Sequence, residues 1–125
     1  MFENEISYRI RGAIYKVYNT LGPSLLESAY ENALAHELTK AGLLVNMQVP
    51  LPMVYDGVRM DVGYRIDLLV DNKVIIEVKS VDTIAAVHHK QVLTYLKLSG
   101  LKLGMLINFN CADIELNIFR KVLNL

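Results

Sequence analysis

Residues 64–79 alternate between aliphatic and polar positions in a way that predicts two β-strands joined by a tight turn. Side chains alternate between the two faces of a strand, so residues two apart share a face. The even-numbered positions are all aliphatic: Ile66, Leu68, Val70, Val74, Ile76 and Val78. The odd-numbered positions are aliphatic near the turn and charged farther away, at Asp67, Glu77 and Lys79 among others. The pattern predicts a hairpin with one aliphatic face and three ionisable groups at one end of the other face.

The length of the turn decides whether the two carboxylates share a face. A two-residue turn after Val70 would place Asp67 and Glu77 on opposite faces. A three-residue loop instead pairs Val70 with Val74 and brings Asp67 opposite Glu77. Asn72, in the middle of that loop, tolerates the left-handed backbone conformation that such loops use. We therefore predict the register of the three-residue loop, or an equivalent bulge.

The carboxylates of Asp67 and Glu77 would repel each other in this register, by roughly a few tenths of a kcal/mol or more. Lys79 offsets part of that repulsion, and a divalent cation would offset more, because carboxylate oxygens are hard ligands that suit Mg²⁺ or Mn²⁺. Asp67, Glu77 and the backbone carbonyl of Val78 could hold one ion. Lys79 would then position an attacking water or stabilise developing negative charge. The alternative is a surface hairpin with a cross-strand charge cluster and no metal.

Three amphipathic helices are predicted from apolar residues spaced three and four positions apart. They cover residues 4–21, 24–41 and about 84–98. In the second helix, Ser24 and Glu27 match a capping box. From the pattern alone we favour this cap over the alternative, in which Glu27 points toward Asp67 and Glu77. Leu26 is assigned to the inner side of this helix.

The third predicted helix carries His88, Gln91 and Tyr95 three and four positions apart, so these side chains share a face. Polar groups on a core-facing stripe need hydrogen-bond partners. Gln91 and Tyr95 therefore either bond from the helix to the sheet or contact phosphate near Glu77 and Lys79. We expect both histidines at the start of this helix to be solvated, and we assign neither as a metal ligand. Capping residues are expected within 80–83, and Val87 is placed on the buried stripe.

The remaining segments predict further strands. Residues 44–61 have a two-residue period, with prolines that favour a sheet edge and a hairpin turn at Asp56 and Gly57. The apolar run at 103–109 predicts a strand buried on both faces and parallel to the strand before the third helix. Residues 114–120 alternate and predict a last strand, while Ile118, Val122 and Leu123 would also allow a short helix as the alternative.

Composition limits the possible functions. With 125 residues and 53% hydrophobic content, we expect one domain over residues 1–125. No apolar run approaches the roughly 20 residues of a membrane span, and no signal-peptide pattern is present, so we expect a cytoplasmic protein without a membrane partner. The single cysteine, Cys111, excludes an internal disulfide and a cysteine-based zinc site. A net charge of zero argues against tight non-specific duplex binding.

The order of elements and the D…ExK pattern together resemble the core of the PD-(D/E)XK nuclease superfamily. Asp67 matches its acidic residue, and Glu77-Val78-Lys79 matches its ExK triplet. Residues 91–95 resemble the QxxxY element of RecB-type members. The resemblance implies a restriction-endonuclease-like α/β core, with a mixed central β-sheet flanked by α-helices. It also implies Mg²⁺-dependent cleavage of nucleic acid, with Mn²⁺ as a substitute.

The likeness extends to the small bacterial and archaeal proteins named for a GxxExxY motif. The similar segments are residues 21–30, 48–51, 63–67, 88–95 and 106–110. Glu27 and Tyr30 fit the motif, while Ser24 stands where its first glycine would be. We expect Ser24 to do little harm, because serine is a good helix cap. The resemblance implies that Glu27 is the acidic residue carried by a helix, which reverses the preference for a mere cap.

The resemblance thus gives each candidate residue a role. The implied catalytic residues are Glu27, Asp67, Glu77 and Lys79. The implied metal ligands are Asp67, Glu77 and the carbonyl of Val78, with Glu27 as a further candidate. The residues implied to orient the site or contact substrate are Tyr30, Arg65, His88, Gln91 and Tyr95. Two alternatives stay open: a catalytically silent module of this fold that binds nucleic acid or a protein, and an interaction protein that forms a homodimer through exposed tyrosines and the Asp56-Gly57 hairpin.

Overall fold

The computed structural model describes all residues, 1–125. The helices are α1 (Glu3–Leu21), α2 (Glu27–Lys40) and α3 (Ala86–Ser99), with a 3₁₀ helix at Ile114–Asn117. The strands are β1 (Val45–Pro50), β2 (Met53–Tyr55), β3 (Val58–Met60), β4 (Arg65–Val70), β5 (Val74–Lys79), β6 (Leu103–Asn108) and β7 (Ile118–Val122).

Five strands form one mixed sheet in the order β1-β4-β5-β6-β7, while β2 and β3 form a separate hairpin. β5 and β6 run parallel, and the other neighbours are antiparallel. This confirms the predicted α/β fold with its mixed central sheet. β1 lies at an edge, as Pro50 and the nearby Pro52 indicate, and every residue of β6 is buried.

Helices cover the two faces of this sheet unequally. α1 and α2 pack on one face and form the larger core, in which Tyr30 stacks on Phe109 with ring centroids 4.3 Å apart. α3 contributes Tyr95 and Leu96 to a smaller cluster with Leu51, Ile66 and Ile75. The candidate site therefore has a thick core behind it and a thinner layer, built on α3, in front of it.

The register of β4 and β5 agrees with the prediction. Val70 pairs with Val74 and Leu68 with Ile76, across a three-residue loop that starts at Asp71. Both Asp71 and Asn72 have a positive φ, at 51° and 55°, where the sequence argument required only one. The loop therefore sets the pairing on which the carboxylate geometry depends.

One face assignment is wrong. Ile66 was grouped with the other even-numbered aliphatic residues, such as Leu68, which lies in the larger core. Ile66 instead packs with Ile75 in the cluster under α3. The regular pairing of β4 with β5 ends at Leu68 and Ile76, so strict alternation no longer governs the residues before Leu68.

The predicted start of α2 is also wrong. The helix begins at Glu27, its N-cap is Leu26, and no side chain caps it. Ser24 lies before the helix with a φ of 77°, in the left-handed region that glycine adopts readily. Leu26 is exposed and not part of the inner face. Glu27 does not reach back to cap, because its carboxylate accepts a hydrogen bond from the loop after β5.

Three smaller predictions also need correction. α3 begins at Ala86, and the residues at 80–83 do not cap it; Nδ1 of His88 instead accepts from the Ala85 amide at 2.9 Å. Val87 is exposed, because the buried face of α3 is carried by Val92, Tyr95 and Leu96. The last strand begins at Ile118 and not at Ile114, because a 3₁₀ turn occupies Ile114–Asn117, and no helix forms over residues 118–123.

Candidate active site

β4 and β5 part beyond Leu68 and Ile76, and two carboxylates lie in the gap between them. The Asp67 amide donates to Oε2 of Glu77 at 2.8 Å. The Val78 amide donates to Oδ2 of Asp67 at 2.9 Å. Each carboxylate thus accepts a hydrogen bond from a backbone N–H of the neighbouring strand. These bonds lie just beyond the last regular β4–β5 pair, where backbone carbonyls would otherwise be the acceptors. These reciprocal bonds bring Asp67 and Glu77 together, as the register predicts.

Glu77 is the most strongly perturbed acid of this gap. It is only 2% exposed, and burial raises the pKa of its carboxyl from 4.5 to about 9. The charge of Asp67 contributes to this raised pKa, while the Asp67 amide and the charge of Lys79 partly offset it. A buried carboxylate disfavours its charged form unless a positive charge lies nearby. The site is therefore short of positive charge.

Lys79 is the positively charged residue assigned to this site, and no salt bridge holds it elsewhere. The positive charge of Lys79 lowers the pKa of both Glu77 and Glu31. It therefore stabilises the ionised carboxylates in and around the gap between β4 and β5, which we call the acidic gap. Its side chain is half-buried and also lines a cavity against α3. Lys79 can therefore act on both the carboxylates and whatever enters the cavity.

Glu31 and Gln48 belong to this cluster, although neither is among the site residues predicted from the sequence. Nε2 of Gln48 donates to Oε1 of Glu31 at 2.6 Å and to Oδ1 of Asp67 at 3.3 Å. Gln48 has a φ of 51° and lies opposite Asp67, between the pairs Met47–Leu68 and Val49–Ile66. Burial raises the pKa of Glu31, and the charge of Asp67 adds to the shift.

A local signal could have found Glu31. It lies one helical turn after Glu27, so the two acids share a face of α2. Gln48 has no comparable local pattern, because its position depends on the long-range pairing of β1 with β4. Its only signal in the sequence is its place in the family-like segment 48–51. Together these residues extend the acidic gap from the sheet to α2.

Glu27 lies at the same end of the sheet and holds the segment that follows Lys79. Its Oε2 accepts from the Ser80 amide at 3.1 Å, and Oγ of Ser80 donates to the carbonyl of Leu25 at 2.6 Å. Asn108, which is buried at the end of β6, bonds both the amide and the carbonyl of Val81. The chain after Lys79 is therefore fixed from α2 on one side and from β6 on the other.

Tyr30 lies deep in the larger core, outside the cavity. Its hydroxyl donates to the carbonyl of Gly22 and accepts from the Leu25 amide at 3.1 Å. These bonds shape the turn that leads into α2 and so fix where Glu27 begins the helix. Tyr30 can therefore influence the site through that turn.

On the other face of the sheet, His88, Gln91 and Tyr95 line a cavity of about 440 Å³ together with Lys79. This agrees with their predicted common face. Nε2 of Gln91 donates to Oη of Tyr95 at 3.1 Å, and the same oxygen accepts from the Arg65 amide at 3.4 Å. The helix-to-sheet bond expected for Tyr95 is thus present, while Gln91 bonds only within α3.

The second histidine of α3 differs from its expected place, while the role expected of Arg65 stays a prediction. Arg65 meets the site through its backbone amide, and its side chain is exposed. His89 is only partly solvated: the residue is half-buried, its Nδ1 is buried without a partner, and its ring lies edge-on to Phe119. His88 caps α3 through Nδ1, so it faces the cavity while bonded to its own helix.

The oxygen donors fit a hydrated divalent cation. No group of three His, Cys, Asp or Glu side chains is arranged as a closed metal cage. Mg²⁺ does not need one, because it is usually held by one or two carboxylates and keeps several waters. Asp67 and Glu77 provide two such carboxylates, and the carbonyl of Val78 is the third candidate donor. Burial raises the pKa of Glu77, so a cation bound there would favour the ionised form of this carboxyl.

A family model described as the PD-(D/E)XK nuclease superfamily matches residues 4–121. The chain therefore belongs to the PD-(D/E)XK nuclease superfamily, whose members generally use divalent metal ions and act on nucleic acid. No curated protein and no solved structure matches the chain. None of the three helices has the length and apolar character that crossing a membrane requires.

Proposed function

We propose that this protein is a Mg²⁺-dependent nuclease that hydrolyses phosphodiester bonds, with DNA preferred over RNA and Mn²⁺ able to replace Mg²⁺. The observation that carries the proposal is the reciprocal bonding of Asp67 and Glu77 where β4 and β5 part, with Lys79 beside them and free of any salt bridge. We place the enzyme in the cytoplasm, as one domain over residues 1–125, serving DNA repair, recombination or defence.

The residues of the acidic gap have two roles: some would bind the cation, and Lys79 would act on the water or the developing negative charge. Asp67, Glu77 and the carbonyl of Val78 would hold the cation, with Glu27 as a further ligand. A cation bound there supplies positive charge next to the phosphodiester and lowers the pKa of water. Lys79 positions the attacking water or stabilises the negative charge that builds up on the phosphorus oxygens. Gln48 keeps Asp67 oriented by its bond to Oδ1.

The α3 side would bind and orient the substrate. Gln91 fixes the hydroxyl of Tyr95, which also meets the Arg65 amide, so this part of the cavity wall is rigid. His88 faces the same cavity and can contact phosphate through its other ring nitrogen, because Nδ1 is engaged with Ala85. Tyr30 positions Glu27 through the turn before α2.

We also propose that the chain is a RecB-like member of the GxxExxY group. Its Glu27 and Tyr30 stand at the motif positions, and the positive φ of Ser24 supports the assignment. A left-handed conformation at that position explains why a motif would place glycine there. Serine at this position keeps the turn at some cost in backbone strain.

A cleavage assay tests the nuclease proposal. Asp67→Ala and Lys79→Ala should each lower Mg²⁺-dependent cleavage of labelled DNA and RNA by roughly a hundredfold or more, because the first removes a ligand of the cation and the second removes a positive charge at the reacting phosphate. Circular dichroism should show that both variants still fold. Lys73→Ala is a matched control, since Lys73 lies in the loop at the far end of the same hairpin. Equal cleavage by wild type and both site variants would defeat the assignment.

The alternative, a catalytically silent module that binds nucleic acid or a protein, has one observation in its favour. The carboxylates of Glu27, Asp67 and Glu77 all accept backbone N–H bonds, so a purely structural role would satisfy them. A silent module would bind labelled nucleic acid and leave it intact at every Mg²⁺ or Mn²⁺ concentration. Cleavage that depends on Lys79 would exclude it.

We further propose homodimer formation through the β2–β3 hairpin. Val54, Tyr55 and Val58 are exposed on it, around the Asp56-Gly57 turn. Sedimentation velocity at several protein concentrations tests this. A sedimentation coefficient that rises with concentration in wild type, and not in Tyr55→Ser, is the expected result. A constant monomeric value for wild type would refute it.

A further inference from the structure

The cavity beside Lys79 has features that the cleavage chemistry does not use. Its volume of about 440 Å³ falls within the usual range for sites that hold one small ligand. Lys79, His88 and Lys90 line it, and no carboxylate does. An anionic ligand therefore fits the charge of the lining side chains. The neighbouring carboxylates of Asp67 and Glu77, whose charges add to the effect of burial in raising the pKa of Tyr95, suit a cation instead.

Tyr64 gives this cavity an aromatic wall. The residue precedes β4 and remains 36% exposed. Its ring packs against Tyr95 with centroids 5.7 Å apart and planes at 66°, and Tyr95 is itself buried. The buried ring thus holds Tyr64 in place at the cavity while leaving part of it accessible. A fixed, partly exposed aromatic ring beside lysines is the combination on which unpaired bases stack.

The same combination disfavours a continuous duplex. Both faces of a base inside a duplex are covered by its neighbours, so Tyr64 can stack only on a base that is unpaired or at an end. Tight duplex binding also depends on neutralising many phosphates. The chain has a net charge of zero, and Lys79 and Lys90 are the only lysines that line this cavity.

We propose that this cavity binds one unpaired nucleotide, stacked on Tyr64 with a phosphate near Lys90, so that the nuclease acts on single-stranded nucleic acid. The proposal rests on the proposed function for its catalytic consequence. Its location supports it, because Lys79 lies at both the cavity and the acidic gap. A nucleotide held there would have its neighbouring phosphodiester close to Lys79. The chemistry is shared by DNA and RNA, and Tyr64 itself does not distinguish them.

The test measures binding without cleavage. Fluorescence anisotropy with the full chain in EDTA would compare a short labelled single strand, as DNA and as RNA, with the matching DNA duplex. Wild type should bind the single strands more tightly than the duplex. Tyr64→Ala should weaken single-strand binding by roughly tenfold and leave duplex binding unchanged, since one stacked base is lost. Tyr64→Phe, which keeps the ring, should retain wild-type affinity.

Two further variants make the result decisive. Tyr64→Leu keeps apolar packing against Tyr95, so it replaces Tyr64→Ala if that variant does not fold. Tyr8→Ala is the matched control, because Tyr8 is 80% exposed on α1, which covers the other face of the sheet. Equal loss for duplex and single strand, no loss in Tyr64→Leu, or the same loss in Tyr64→Phe would overturn the proposal. Single-strand binding without Mg²⁺-dependent cleavage would refute the nuclease proposal and leave this one standing. Mg²⁺-dependent duplex cleavage that substitution of Tyr64 does not change would refute this proposal and leave the nuclease proposal standing.

Discussion

The two ends of the β4–β5 hairpin belong to the same pair of strands but differ in how the strands are joined and in what they bury. At the loop end, Leu68, Leu69 and Val70 pair with Ile76, Ile75 and Val74, and aliphatic side chains fill both faces. At the other end, the carboxylates of Asp67 and Glu77 replace the ladder with bonds from side chain to backbone.

This contrast shows what each end contributes. The loop end follows the usual rule that buried strands pair through their backbone and bury apolar side chains, so it stabilises the fold. The open end buries an acid whose pKa is raised by desolvation, which costs stability at neutral pH. An arrangement that costs stability and places acids next to a free lysine is the kind expected at a functional site.

The largest expected effect on stability lies at the loop end. Ile76→Ala should lower the free energy of unfolding by about 3–5 kcal/mol, because Ile76 is fully buried and the change leaves a cavity. Urea denaturation measures it. Asp67→Ala at the open end should cost much less while removing cleavage. If Ile76→Ala unfolds at the same urea concentration as wild type, the loop end does not carry the stability assigned to it.

The next effect has the opposite sign and lies at the open end. The pKa of Glu77 is raised to about 9 in the folded protein, so the folded state holds this proton more tightly than the unfolded state does. Its contribution to stability is therefore complete below pH 4.5 and is lost as the pH rises toward 9. Glu77→Gln should remove this loss and stabilise the metal-free protein at pH 9 by roughly 2 kcal/mol or more.

Thermal melting in EDTA at pH 5 and pH 9 would measure the Glu77→Gln effect. Glu115→Gln is the matched control, because Glu115 is exposed near the C-terminus and outside the site. A Glu77→Gln variant that is destabilised at pH 9 would mean that the open end holds its carboxylate in a favourable ionised state, and the contrast between the two ends would fail.

The smallest expected effect concerns the turn that leads to Glu27. Ser24→Gly should raise the free energy of unfolding by about 1 kcal/mol, because glycine adopts the positive φ at this position without strain. The gain is partly offset by loss of the bond between Ser24 and Asn110. Chemical denaturation provides the measurement, and Ser99→Gly in α3 is a control that should destabilise. A Ser24→Gly variant less stable than wild type would contradict the strain argument.

The sequence predicted the loop end of the hairpin well because its information is local. Alternation assigned the aliphatic residues to strands, and the length of the Asp71–Lys73 loop set the register that brings Asp67 opposite Glu77. The same local rule failed for Ile66, since the carboxylates interrupt the ladder just beyond Leu68.

Parts of the site that depend on contacts between distant segments could not be predicted. The capping box at Ser24 was a sound local pattern, but the Ser80 amide takes the carboxylate of Glu27 instead. The bridge from Gln48 to Glu31 and Asp67 requires the pairing of β1 with β4 and the packing of α2 against the sheet. Neither contact leaves a periodic signal in the sequence.

The central claim is that the Asp67 and Glu77 carboxylates at the open end bind a divalent cation. Calorimetric titration of the metal-free protein with Mg²⁺ tests it most directly. Wild type should bind one or two ions. Asp67→Asn should bind at least about tenfold more weakly, since a charged ligand is replaced by a neutral one of the same shape. Asp71→Asn, at the loop end, should match wild type. If wild type takes up no Mg²⁺, or Asp67→Asn binds it as tightly as wild type, the acidic gap is not the metal site.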